Sequence, residues 1–397
     1  MRLFISTETS MQQIATIPAI IEQHVEDAAF LWHRRAKEID GPVMGAFDIG
    51  RIDQRLDANL DGLFAAGQAA WDLAAARFAD YQEPPELFLL GALAFEWQSA
   101  PAIKFVLESA GPLGKRGLSA LSGAVARSSP DRLKPFVARW LDSPVAMERA
   151  LGVGALHHHS VNPGPRLAQL LTDRDAEVRR RALKLAGALR RRDVVGEVAA
   201  CLQARGADER LEAAVAACLL GEARLAQPVL DKMLVSHPKL AGAAMEIRLL
   251  TTPSIAAQSW WQQFASSPAT RQVAVATSGL LGDKTIVPWL IEKMQSPELA
   301  YAAGLALRDL IEIDFNDTDV FVTDAAKLGP EFETIEATPL PSASQAQAWW
   351  DNGRGPARFE KFQSMRRLKV DAIRGALANA EIALTNWRRS QPIPAWM

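Results

Sequence analysis

Several clusters in this sequence hold side chains whose types and spacing could do chemistry. The most highly charged is DRDAEVRRRALKLAGALRRRD, residues 173–193. It places Arg179, Arg180, Arg181, Lys184, Arg190, Arg191 and Arg192 within one predicted helix. Arg180, Lys184 and Arg191 share one side of that helix at i, i+4 and i+11, with Arg181 beside them. Over residues 165–195, nine basic and four acidic side chains give a local charge of +5. Such a row of cations suits phosphates, an acidic protein surface, or water alone. Arg179 directly follows the apolar stripe residue Val178, and reads as the partner of a turn carboxylate, Asp173 or Asp175.

DANLDG sets Asp57, Asn59, Asp61 and Gly62 at positions 1, 3, 5 and 6 of a calcium loop. Position 12, where a bidentate Glu is needed, is Gln68. Ile52, Leu56, Leu60, Leu63, Gly67 and Ala70 also continue a helical stripe through the supposed loop, and a helix cannot wrap its own oxygens around one ion. Read as a helix, Asp53, Asp57 and Asp61 form a carboxylate ladder, either salt-bridged and solvated or offered to a partner. In LHHHSVNPG, the adjacent His157, His158 and His159 point about 100° apart on a helix, so they do not converge on one metal. At a helix end they read as imidazolium groups beside exposed carbonyls. GPLGKRG, residues 111–117, lacks the spacing and the Ser/Thr of a phosphate loop. No Ser-His-Asp arrangement or Cys-based metal site is visible, so no catalytic residue, metal or cofactor is expected. Cys201 and Cys218, the two cysteines, read as buried thiols.

The elements that must position these residues follow from periodicity. The chain has 397 residues, with 44 Lys plus Arg against 46 Asp plus Glu, so it lacks the basic excess of a dedicated nucleic-acid binder. EVRRRALKLAGAL carries Val178, Ala182, Leu185 and Leu189 on one stripe. ATRQVAVATSGLLGD repeats the pattern with Ala274 for Ala182 and Gly279 for Gly187, a distance that suits three units of about 31 residues. Intermediate units anchor on Ala214 and on Ala243 or Ala244, and outer ones on Ala150 and Ala303. Each follows a shorter apolar helix and a turn such as DSP, TDRD, SHP or QSP, whose Asp, Ser and Pro end one helix and cap the next. LLTDRDAEVRRRALKLAGAL resembles a HEAT repeat, and the fold expected is all-α: a HEAT-like α–α superhelix with atypical helical ends. The expected organisation is an N-terminal helical region over 1–85 and a repeat array over 86–312, clearest from 130. An acidic, Pro-containing connection over 313–348 and a C-terminal helical cap over 349–397 complete it. The connection carries seven acids against one base and could cover or compete with the basic helix. In the cap, Leu368, Ala372, Leu377 and Ile382 fall near one side of a predicted helix, which would close the open end of the array.

In IIEQHVEDAAFLWHRRAKEI, Ile21, Val25, Ala28 and Trp32 form the buried stripe, while His24 and Arg35 flank it, where they could bond the next helix. Phe30 falls on the opposite, charged side, packed by another segment or held out to a partner. EQHVEDAAFLWHRR followed by RIDQRLDANLDGLFAAGQAAW resembles the opening of an uncharacterised family of proteobacterial HEAT-repeat proteins, whose genes commonly lie in type VI secretion clusters. The resemblance rests on His24, Glu26, Ala29, Phe30, Leu31, Trp32 and Arg35, then on Asp53, Arg55, Leu56, Asp61, Gly62, Leu63, Ala66 and Gly67. It implies a secretion-associated accessory role and supplies no catalytic residues. The expected function is therefore a non-catalytic scaffold or adaptor. Its protein partner would be held by Arg180, Arg181, Lys184 and Arg191, or by Phe30, Asp53, Asp57 and Asp61. The alternative is a HEAT-type nucleic-acid-binding or repair protein using the same basic residues. No stretch approaches about eighteen apolar residues and no signal-peptide core is visible, which points to a cytoplasmic chain.

Overall fold

Pro18, Pro84 and Pro130 each open a helix at the first turn, where the missing N–H has no partner to lose. Gly67 and Gly114, at φ 60° and 57°, make the one-residue breaks that end one helix and start another. These junctions set the elements of a computed structural model that describes residues 17–39, 46–252, 254–311, 313, 315–336 and 339–360. The described residues are nearly all helical. They form two compact units that divide between Leu189 and Arg190.

The first unit contains α1 (Pro18–Glu38), α2 (Ala46–Ala66), α3 (Gln68–Tyr81), α4 (Pro84–Glu96), α5 (Ala100–Leu113), α6 (Lys115–Arg127), α7 (Pro130–Leu141), α8 (Ala146–His158), α9 (Arg166–Leu171) and α10 (Ala176–Leu189). Every second helix packs on the next, α4 on α6, α6 on α8 and α8 on α10, with α5, α7 and α9 filling the layer beside them. α4 is buried on all sides from Glu86 to Phe95 because α1, α2, α3, α5, α6 and α7 all lie against it. Its ten-residue run therefore has no polar face. α5 and α6 approach closely at Gly117, where an added Cβ would stand 2.4 Å from the Ala110 carbonyl oxygen. α2 runs unbroken through Asp57–Gly62, so DANLDG is helix and forms no calcium loop.

The second unit continues with α11 (Val195–Cys201), α12 (Ala207–Leu219), α13 (Ala223–Ser236), α14 (Pro238–Leu250), α15 (Ser254–Ala265), α16 (Arg271–Thr277), α17 (Val287–Lys293) and α18 (Pro297–Ile311). Again alternate helices pack in series, α12 on α14, α14 on α16 and α16 on α18. The helix expected over ATRQVAVATSGLLGD tightens to a 3₁₀ turn at Ser278–Leu281, where Gly279 lies against the Ala306 carbonyl. The acidic stretch after α18 is more structured than a connection. Phe321–Val322 and Leu340–Pro341 pair as antiparallel strands β1 and β2. Phe315, Phe321, Trp349 of α19 (Ala343–Asp351) and Phe359 join the core around α17 and α18. Its apolar side chains place this segment on its own unit. Among its acids, Asp319 pairs with Arg354, and Asp324 caps a 3₁₀ turn. The helix expected over the C-terminal cap from 361 onward lies outside the described residues, as do residues 1–16. Among the described residues, no helix is long and apolar enough to cross a membrane.

Candidate functional site

The N-terminal candidates are drawn into an ion-pair network across three helices. Arg35 of α1 donates to Asp53 of α2 at 2.5 Å. Arg127, at the end of α6, bonds both Asp53 and Asp57. His24 donates from Nδ1 to Asn59 at 2.8 Å, and its ring occupies the space that a side chain at Gly62 would need. Glu26 accepts from Arg77 of α3 at 2.9 Å, and Trp32 stacks on Phe88 of α4. Asp53 and Asp57 thus serve inter-helix contacts, while Asp61, also on α2, is exposed. Arg127 had no signal in the sequence, because it lies about seventy residues away from its partners and only packing brings it there. Phe30 is 59% exposed; Ile17, which precedes α1, and Ile20 in its first turn are 60% and 48% exposed.

Of the basic candidates, α10 carries Arg180, Arg181 and Lys184 but not Arg191. α10 ends at Leu189, and Arg190 turns the chain through a left-handed residue at φ 53°. The helix expected to run on through Arg192 therefore stops, and Arg191 belongs to the second unit. There it forms a bidentate pair with Asp193, Nε to Oδ1 at 2.7 Å and Nη2 to Oδ2 at 2.6 Å. Arg180 and Arg181 both bond Glu177, at 2.8 and 3.1 Å. Arg181 then crosses over Gly154 of α8 to donate to Ser122 Oγ of α6 at 2.9 Å. Its burial pushes the guanidinium pKa down, against the attraction of Glu177. A cation expected on the surface is in large part a bracket between three helices.

The turn carboxylates of α10 meet several partners. Arg149 of α8 holds both carboxylate oxygens of Asp173, from Nε at 2.8 Å and Nη2 at 2.9 Å. Arg179 donates to the Asp173 main-chain carbonyl at 2.7 Å. Asp175 caps α10 by accepting from the backbone N–H groups of Glu177 and Val178. The histidine run also departs from simple imidazolium capping. His159 donates to the Val125 carbonyl at 3.1 Å. Burial of the His158 imidazole, together with His157, Arg181, His159 and Lys184, pushes its pKa down to about 3 and favours the neutral form.

In the second unit, a cavity of about 230 Å³ is lined by Leu202, Arg210, Pro228, Val229, Lys232 and His237, among others. Arg210 is fixed there by the Ala204 and Arg205 carbonyls and by His237 Nε2. Cys201 and Cys218 are both buried and reduced, and burial pushes the Cys218 thiol up to about 12. Among the described residues, no group of three or more His, Cys, Asp or Glu is placed to hold a metal ion.

Comparison with protein-family models, curated proteins and solved structures returns no match.

Proposed function

We propose that the chain is a HEAT-like α-solenoid acting as a non-catalytic, protein-binding scaffold, with the type VI secretion accessory role that its N-terminal motifs imply. The serial packing of alternate helices inside each unit supports the solenoid, since this is how repeat arrays bury a continuous core. The observation that carries the binding role is the outer side of α1. There Phe30 is held in water, opposite the packed stripe of Ile21, Val25, Ala28 and Trp32. A large apolar side chain gains by being covered, roughly 25 cal/mol per Å² of apolar area.

A tagged chain recovered from its native cells, with nuclease present and partners read by mass spectrometry, tests this reading. Wild-type protein is expected to retain secretion-apparatus or effector proteins, and Phe30→Asp to lose them while keeping its helical circular dichroism. Identical recovery by Phe30→Asp would overturn the assignment of this face. Nucleic acid as the retained species, with proteins lost on nuclease treatment, would replace the scaffold by the nucleic-acid reading. The pairing of Arg180 and Arg181 with Glu177, and of Arg191 with Asp193, weighs against that outcome, because these cations already have carboxylate partners.

A further inference from the structure

Three arginines occupy the same position of a repeated turn. Arg149 is the fourth residue of α8, Arg179 of α10 and Arg210 of α12. Each donates to the main-chain carbonyl six residues before it, at Ser143, Asp173 and Ala204. Arg149 and Arg210 also bond the carbonyl five residues back. Arg149 and Arg210 then reach the turn between the next two helices, and there they differ. Arg149 meets Asp173, between α9 and α10, and both carboxylate oxygens balance its charge. Arg210 meets His237, between α13 and α14, with Nη2 2.9 Å from Nε2. A guanidinium only donates, so Nε2 accepts and the ring proton is on Nδ1. An imidazole that accepts a hydrogen bond brings no negative charge, so the turn gives Arg210 a partner without a countercharge.

Arg210 and His237 line the cavity of about 230 Å³ in the second unit, and Lys232 of α13 lines it with them. No Asp or Glu is among the described residues that line it. Asp231, next to Lys232 in the chain, is paired with Arg248 instead. Leu202, Val229 and Met233 supply an apolar wall, of which Leu202 and Met233 are buried. Cavities that take drug-sized molecules run from about 300 Å³ upward, so this one suits a group the size of one amino-acid residue. A carboxylate carrying an apolar group matches both parts. Its oxygens accept from the cations and bring Arg210 the countercharge that Asp173 gives Arg149. Its apolar group covers the wall. A phosphate, polar on every side, would leave oxygens against that wall without donors.

We infer that this cavity binds a carboxylate attached to a short branched aliphatic group, the chemistry shared by a chain end at leucine and by a free aliphatic acid. Arg210 supplies a charge held in place by the Ala204 and Arg205 carbonyls, with little conformational freedom left to lose on binding. Lys232, which is exposed, supplies the second charge. The cavity belongs to the second unit and Phe30 to the first, so the inference does not rest on the face of α1.

The test is fluorescence anisotropy on the full chain at pH 7, with an N-terminally labelled tetrapeptide that ends in leucine. The peptide is used as the free acid and as its C-terminal amide. The acid is expected to bind, and the amide to bind at least tenfold more weakly, because it lacks the charge. Lys232→Met should weaken the acid about tenfold and Lys232→Arg should retain it. Val229→Trp, which fills the cavity and leaves every cation in place, should remove binding. Lys134→Met, on α7 in the first unit, is the charge-matched control and leaves binding unchanged. Arg210→Met also frees two carbonyls of the turn before α12, so thermal melting is read beside it; if that variant unfolds, Lys232→Met and Val229→Trp carry the test. N-acetyl-leucine as competitor separates the two sources. Displacement at a concentration near the peptide's own Kd supports a free-acid site, and displacement only well above it supports a chain-end site. Equal binding of acid and amide would overturn the inference, as would binding unchanged by both Lys232→Met and Val229→Trp. If the acid fails to bind while the Phe30-dependent partner is still recovered, this inference falls and the scaffold stands. If the acid binds and no Phe30-dependent partner exists, the assignment of α1 falls instead.

Discussion

Replacing Asp173 by Ala should lower the stability of the first unit by about 3 kcal/mol. Arg149 and Asp173 are 9% and 12% exposed in their side chains, and the guanidinium grips both carboxylate oxygens. Removing one member of a buried pair leaves an uncompensated charge, which costs roughly 3–5 kcal/mol. The lower end applies here because Arg149 also donates to the Ser143 and Pro144 carbonyls and keeps those bonds in the variant. For a unit of this size the melting temperature should fall by about 6–12 °C. Arg149→Met with Asp173→Leu removes both charges and should recover most of the loss. About 1 kcal/mol would stay missing, because the Asp175 N–H loses its acceptor. Burial alone would raise the Asp173 pKa; the Arg149 hydrogen bond, the Asp175 N–H and the nearby Arg149 and Arg174 charges together outweigh it and hold it below the usual value. A depressed carboxylate stabilises fully above its unfolded pKa, near 4, and the contribution is lost as pH falls through the folded value. Urea unfolding from pH 7 down to about pH 2 should therefore show a steeper acid loss in wild type than in Asp173→Asn. A decrease under about 1 kcal/mol for Asp173→Ala, or a double variant as unstable as the sum of the singles, would refute the argument.

Gly117→Ala should destabilise by about 1–3 kcal/mol in a denaturant titration, since its Cβ meets the α5 backbone, whereas Gly111→Ala, which faces open space, should not. Arg127→Met should cost only about 0.5–1 kcal/mol by the same measurement, because Arg35 remains on Asp53 and Asp57 is well exposed. Cys218 should resist iodoacetamide at pH 8 in the native chain and react once urea unfolds it, as read by peptide mass spectrometry; rapid native labelling would contradict its burial and raised pKa.

The contacts readable in the sequence were those set by one helix's own period. His24 and Arg35 were expected beside the α1 stripe, in reach of the next helix, and they bond Asn59 and Asp53 of α2. The Asp of TDRD was expected to cap, and Asp175 does so. The contacts that were not readable join helices distant in sequence. Arg127 on the aspartate ladder and Arg181 on Ser122 depend on which helices become neighbours, and local periodicity carries no record of that.

The sequence by itself determined that the chain is mostly helical and which stripe is buried in helices such as α1 and α10, because 3.6-residue periodicity is local. The tertiary structure decided what most of the basic candidates do. A left-handed turn at Arg190 ended the basic helix and left Arg191 outside it. Close packing at Gly154 turned Arg181 from a surface cation into a bracket. Around Phe315 and Phe321, apolar burial folded the acidic stretch onto its own unit. A charge has no intrinsic face; whether it meets water, a partner or another helix is fixed only when the helices pack.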